Sequence, residues 1–150
     1  MTRILFVCLG NICRSPAAEG LSRALAAARG LDIALDSAGT GDWHLGQPPH
    51  PPMIAAARAR GYDLAPLRAR QIAPPDFARF DLILGMDRRN LAAIERLRPA
   101  ESATPVRLFL GEAEVPDPYM DGSFDAALDL VEEGAARLLD QLYGAQLTSA

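Results

Sequence analysis

The sequence predicts an α/β fold, a single three-layer domain over residues 1–150 in which helices cover both faces of a parallel sheet. Two observations point there. Short apolar runs suited to buried strands alternate with segments of helical periodicity. Such alternation argues for a parallel sheet covered on both faces. No repeat, linker or compositional break divides the 150 residues, a length that suits one core.

The elements follow in order. Residues 3–7 (RILFV) form a short apolar run, expected as the first strand. Residues 8–15 follow as a loop, and Pro16 stands where the first turn of a helix tolerates it. Leu21, Ala24, Leu25 and Ala28 recur at helical spacing, with Gly30 as the stop. Residues 32–37 read as a second strand. Residues 38–52 are rich in Gly and Pro, including the run QPPHPP, and form a long loop of the kind that lines sites. A short helix is expected over 53–60, closed by Gly61, and another over 74–80. Residues 81–86 (DLILGM) are a strand, and Asp87 is placed to cap the helix after it. Residues 106–110 are a further strand, and 111–122 a loop with two prolines. Phe124, Leu128, Val131, Ala135, Leu138 and Leu142 step by four and three, giving a final amphipathic helix.

Composition narrows the function. Apolar residues make up 49% and charged residues 23%, an ordinary soluble balance. No apolar run approaches a membrane span, and RILFV is too short for the apolar region of a signal peptide. The expectation is a cytoplasmic protein without membrane insertion. A net charge of −4 and a pI of about 5.1 disfavour nucleic acid as a partner. All 15 positive residues are Arg. Without Lys there is no Schiff-base chemistry on an amine and no Walker-A loop. Arg remains, and its planar fork suits phosphate oxygens. Cys8 and Cys13 lie too close together for a secreted disulfide framework, and with His44 and His50 they lack zinc-site spacing.

The segment VCLGNICRSP carries the chemistry, with five residues between Cys8 and Arg14. A strand-to-helix loop aims successive backbone N–H groups into one hollow, which binds a dianion. Leu9, Gly10, Asn11, Ile12, Cys13, Arg14 and Ser15 are therefore the candidate phosphate-binding residues. Gly10 lets the backbone come close, and Asn11 tolerates a left-handed conformation. Arg14 can add a two-pronged contact. N–H groups and a nearby Arg favour the thiolate of a cysteine at the floor of such a hollow. Ser15 is placed to donate a further hydrogen bond to the Cys8 sulfur. An activated nucleophile and a phosphate cradle thus stand together.

CLGNICRSP resembles the N-terminal phosphate loop of the low-molecular-weight protein-tyrosine phosphatases. The likeness extends through DSAGT (36–40), RARQI (68–72), MD..N (86–90) and VPDPY (115–119), in the family's order. It implies a four-stranded parallel sheet flanked by helices, no metal and no cofactor. The implied partner is a phosphotyrosine-containing protein substrate, met by a monomer or weak dimer. Cys8 would attack phosphorus and form a phosphocysteine, and Arg14 would bind phosphate oxygens. Asp117 would protonate the leaving phenolate and then activate water. Ser37 would support Asn11, and Trp43 and Tyr119 would wall the cleft. General chemistry agrees about Asp117, because two-step transfer needs a proton donor and later a base.

Several readings stay open beside the resemblance. Trp43 fits an apolar anchor as well as a substrate wall. His44 and His50 are expected at the surface. Arg70 and Asp87 suit either an ion pair bracing the site's flank or an unremarkable surface pairing. Cys13 suits either packing under the loop or redox capture of an oxidised Cys8. Two residues depart from the family pattern: Leu67, where many members carry a His that supports the loop Asn, and Met120, where many carry a second aromatic. The alternative functions are an arsenate reductase of the same fold, a Cys phosphocarrier module of the sugar-transport IIB type, and a silent phosphotyrosine-binding protein. Arsenate reduction needs a cysteine relay that Cys13 alone does not supply, which leaves only a version assisted by glutathione or mycothiol. Asp117 argues against a phosphocarrier, because it would hydrolyse the intermediate.

Overall fold

The computed structural model describes residues 1–144, so 145–150, the end of the expected domain, lie outside the described residues. Four strands form one sheet: β1 (Thr2–Cys8), β2 (Ile33–Gly39), β3 (Leu82–Gly85) and β4 (Val106–Leu108). Their order is β2-β1-β3-β4 and every pairing is parallel. The helices are α1 (Arg14–Ala28), α2 (Pro51–Arg58), α3 (Asp76–Arg79), α4 (Arg88–Glu95) and α5 (Phe124–Tyr143).

The apolar run in β1 explains its place in the middle of the sheet. Successive side chains of a strand point to opposite faces. Ile4, Phe6 and Cys8 pack on one side with Leu21, Met53, Leu128 and Val131 from α1, α2 and α5. Leu5 and Val7 pack on the other with Ile72, Phe77 and Ile94. Phe6 also meets Phe109 edge-on, with centroids 5.6 Å apart. A strand with both faces covered has no use for a polar residue, and residues 4–7 contain none.

The first helix starts earlier than its sequence suggests. The Ala17 N–H already donates to the Cys13 carbonyl, so Arg14 and Ser15 belong to the first turn of α1. Pro16 then falls where a helix needs no N–H. Likewise α2 begins at Pro51, with prolines opening its first turn. The helix expected over 74–80 is a single turn, α3.

This arrangement collects one end of the sheet. Cys8 ends β1 and pairs with Gly39 at the end of β2, while Val7 pairs with Gly85 at the end of β3. The carboxyl ends of parallel strands are where open α/β sheets hold ligands. Among the described residues no helix is long and apolar enough to cross a membrane.

Candidate active site

The loop between β1 and α1 turns on Asn11, whose φ of 56° is the left-handed conformation expected of it. The loop leans on the end of β2. Thr40 and Gly41 donate N–H groups to the carbonyls of Cys8 and Leu9, each at 2.9 Å. Gly39 permits this approach, since a Cβ there would lie 2.8 Å from the Leu9 carbonyl oxygen.

The Cys8 sulfur lies 3.0 Å from Ser15 Oγ and accepts the Asn11 N–H at 3.3 Å. The direction of the Ser15 bond follows from its neighbours. Asn11 Nδ2 donates to Ser15 Oγ at 2.8 Å and to Ser37 Oγ at 3.0 Å, while Asn11 Oδ1 accepts the Arg70 N–H. With its oxygen accepting from Asn11, Ser15 has one hydroxyl proton to give, and the sulfur at 3.0 Å is nearer to it than the Ala38 carbonyl at 3.4 Å. Ser37 in turn donates to Glu19 Oε1 at 2.7 Å, and Glu19 Oε2 accepts from Arg23. Glu19 is buried, and these two bonds satisfy its carboxylate.

Arg14 is buried and held from behind. Its Nη1 donates to Asp87 Oδ2 at 2.8 Å and to the Val115 carbonyl at 3.0 Å, while Nη2 lies 3.5 Å from Asp117 Oδ2. Burial alone would lower the Arg14 pKa, but the Cys8 sulfur and the Asp87 and Asp117 carboxylates hold it above its ordinary value. The other Asp87 oxygen accepts the Asn90 N–H and caps α4, so one carboxylate fixes both a helix and the guanidinium. Asp87 therefore pairs with Arg14, not with Arg70 as expected. Arg70 lies toward β2, where Asp36 and the buried Asp76 take its donors at 3.1 Å.

A cavity of about 150 Å³ opens above the sulfur. Cys8, Cys13 and the loop residues Leu9, Gly10 and Ile12 line its base with Arg14, and Trp43, His44, Asp117 and Tyr119 line its sides. The Asn11 and Ser15 side chains are buried outside this lining and serve the sulfur from within the protein. Trp43 is 65% exposed, which fits a wall rather than an apolar anchor. The Asp117 carboxylate accepts the Tyr119 N–H at 3.1 Å. Burial, then the charges of Cys8 and Asp117, push the Cys13 thiol up to about 12. The histidines are not simple surface residues. Both are half-buried; His44 lines the cavity, and His50 packs on Tyr119 at 4.8 Å between centroids. Their loop folds back over the site because Thr40 and Gly41 are bonded to it.

The sequence model described as low molecular weight phosphotyrosine protein phosphatase matches residues 3–147. The chain belongs to this family. A low molecular weight protein-tyrosine-phosphatase of Bacillus subtilis, YfkJ, is 40% identical over 93% of this chain and 94% of its own. A putative member from Synechocystis is 44% identical over 93% of this chain and 96% of its own. The crystal structure of YfkJ superposes with a TM-score of 0.88 at 39% identity, over 95% of this chain and 94% of that one. A Drosophila arginine phosphatase, DARP, superposes with a TM-score of 0.87 at 31% identity, over 95% of this chain and 98% of that one.

Within this family frame, the two departures have visible outcomes. Leu67 packs half-buried against the core, and the Arg70 N–H, Ser15 and Ser37 satisfy Asn11 without it. Met120 is 89% exposed and adds nothing to the wall. Sequence reasoning missed the grip of Asp87 on Arg14 and the place of Glu19 under Ser37. Both had faint signals: Asp87 precedes a capping Asn90, and Glu19 follows the apolar Ala17 and Ala18 on a face that turns inward.

Proposed function

We propose that the chain is a protein-tyrosine phosphatase that works through a phosphocysteine on Cys8. The observation that carries this reading is the Cys8 sulfur itself. Two N–H or O–H donors aim at it from Asn11 and Ser15, inside a cavity that Arg14 and Asp117 share. Donors of this kind favour the thiolate, the form that attacks phosphorus.

The phosphoryl dianion enters over the loop, and Arg14 Nη2 turns from Asp117 to its oxygens while Asp87 keeps Nη1 in place. The Cys8 sulfur forms the S–P bond as the P–O bond to the tyrosine breaks. Asp117 gives its proton to the departing phenolate oxygen. Water then attacks phosphorus, Asp117 takes the proton, and the S–P bond breaks to return thiolate and inorganic phosphate. Charge that builds on the equatorial oxygens meets Arg14 and the loop N–H groups. Trp43 and Tyr119 present ring faces to the aryl leaving group.

The test is a substrate panel of phosphotyrosine, phosphoserine and phosphoarginine peptides together with arsenate. Phosphotyrosine hydrolysis should dominate, and Cys8→Ser should fall below about a hundredth of wild type while still binding vanadate. Preferred turnover of phosphoarginine or reduction of arsenate would replace this reading, and an active Cys8→Ser would remove Cys8 as nucleophile.

A further inference from the structure

The loop QPPHPP has no part in the reaction as described, yet His50 touches both segments that carry it. Its backbone N–H donates to the Ile12 carbonyl of the phosphate loop at 2.8 Å. Its carbonyl accepts the N–H groups of Met53 and Ile54, which fixes His50 to the start of α2. Prolines on either side restrict its backbone further. From this fixed base the imidazole lies 4.8 Å from the Tyr119 ring and 5.7 Å from the Phe124 ring, both tilted by 45°. Among the described residues the imidazole makes no hydrogen bond, so contact with these rings is what its position provides.

Asp117 sits on a segment with few ties: Arg14 Nη2 lies 3.5 Å from its carboxylate, a contact that an entering phosphoryl group takes over. Val115 is bonded to Met86, and the Gly122 N–H returns to Pro118 within the loop. Between them, among the described residues, no hydrogen bond joins 116–121 to another element. The one hydrogen bond to the Asp117 carboxylate comes from the Tyr119 N–H at 3.1 Å. A shift of the Tyr119 ring therefore moves the donor that orients the carboxylate.

We propose that His50 is a positioning residue for proton transfer: by holding the Tyr119 ring against the start of α2 and α5, it sets Asp117 over the leaving group. The proposal rests on the phosphatase reading. The phosphate loop and the acid loop then keep their spacing through a side chain outside the reacting groups, His50 at 4.8 Å from the Tyr119 ring, with His44 farther off at 6.3 Å. Loss of that ring leaves the phosphate cradle intact and displaces the acid.

The experiment measures kcat/KM for two aryl phosphates, one with a poor leaving group and one with an activated leaving group that needs no proton. Wild type, His50→Ala and His50→Phe are compared, with Asp117→Asn as the reference for full loss of the acid. His50→Ala should lose about tenfold on the poor leaving group, a fraction of the general-acid contribution, and less than about threefold on the activated one. Vanadate affinity should not change, and His50→Phe, which keeps a ring against Tyr119 and Phe124, should restore most of the loss. Equal losses on both esters, no loss on either, or failure of Phe to rescue would overturn the proposal. If His50→Ala does not fold, His50→Leu, which keeps bulk without a ring, is read in the same way. Wild type inert toward both esters would instead overturn the phosphatase reading, so the two failures are distinct.

Discussion

Under the proposed function Arg14 has two tasks that use different parts of one guanidinium. Asp87 and Val115 occupy Nη1, and Nη2 faces the cavity beside Asp117. A lysine has one ammonium and cannot be anchored and bind phosphate oxygens through separate nitrogens. Arg14→Lys should therefore lower kcat/KM by about 10²–10³, close to Arg14→Ala. Recovery of most activity by Lys would reduce Arg14 to a point charge. Cys13 shows the opposite character, since a thiol held up to about 12 stays protonated near neutral pH. Peroxide should oxidise Cys8 first, to a sulfenic acid. Cys13 lies in the same loop, and burial, the main cause of its raised pKa, remains after Cys8 is oxidised, so its attack waits on a loop movement that exposes it. Once exposed, Cys13 attacks the sulfenic sulfur, forming a disulfide and releasing water. After peroxide and then dithiothreitol, wild type should regain most activity and Cys13→Ser much less; equal recovery leaves Cys13 with packing alone.

At the scale of elements, the shape of the β1–α1 loop was legible because its information is local. Cys8, Gly10, Asn11, Arg14 and Ser15 lie within one turn of chain, and the left-handed Asn11 stands where its residue type allows it. The support under the loop was only partly legible. Asn11 in the loop, Ser37 on β2 and Glu19 on α1 form one hydrogen-bonded row across three elements. Ser37 was carried by the family resemblance, but Glu19, beside a matching Arg23 one turn on, reads in sequence like a surface pair. Removal of the middle member should expose the design. Ser37→Ala leaves Glu19 Oε1 buried without its donor and Asn11 Nδ2 with one partner fewer. It should cost about 1–3 kcal/mol of stability and weaken phosphate or vanadate binding, as read by denaturant melts and titration. Unchanged stability and affinity would show that the row is not needed to hold the loop.

At the scale of the molecule, alternation of apolar runs and helical periods was enough to anticipate a parallel sheet with helices on both sides. What periodicity does not carry is strand order. The order β2-β1-β3-β4 puts the end of β3 beside that of β1, which brings Asp87 to Arg14 across 73 residues of chain. The same order sends Arg70 to Asp36 and Asp76 on the far side of β1, and so the expected Arg70–Asp87 pair does not form. A third long-range tie, away from the site, gives a test of what holds the outer layer. Arg60, just past α2, donates to Asp129 at 2.9 Å, Glu132 at 2.6 Å and the Asp125 carbonyl at 3.0 Å, all on α5. The Tyr62 hydroxyl adds a bond to Glu132 at 3.0 Å. Asp125, Asp129 and Glu132 share one face of α5, so Arg60 offsets their mutual repulsion as well as bridging two helices. The Arg60 side chain is 22% exposed and those of its partners 37–81%, so water and salt screen much of the attraction. Arg60→Met keeps the aliphatic stem and removes the charge. It should destabilise the fold by about 1–2 kcal/mol at low salt. The gap from wild type should narrow in about 1 M salt, where the Debye length falls to about 3 Å and the repulsion among the three carboxylates left in the variant is screened. The kcat/KM of the folded variant should match wild type, because no bond of Arg60 reaches the cavity. A deficit that salt leaves unchanged would assign the loss to the carbonyl bond and packing, not to charge.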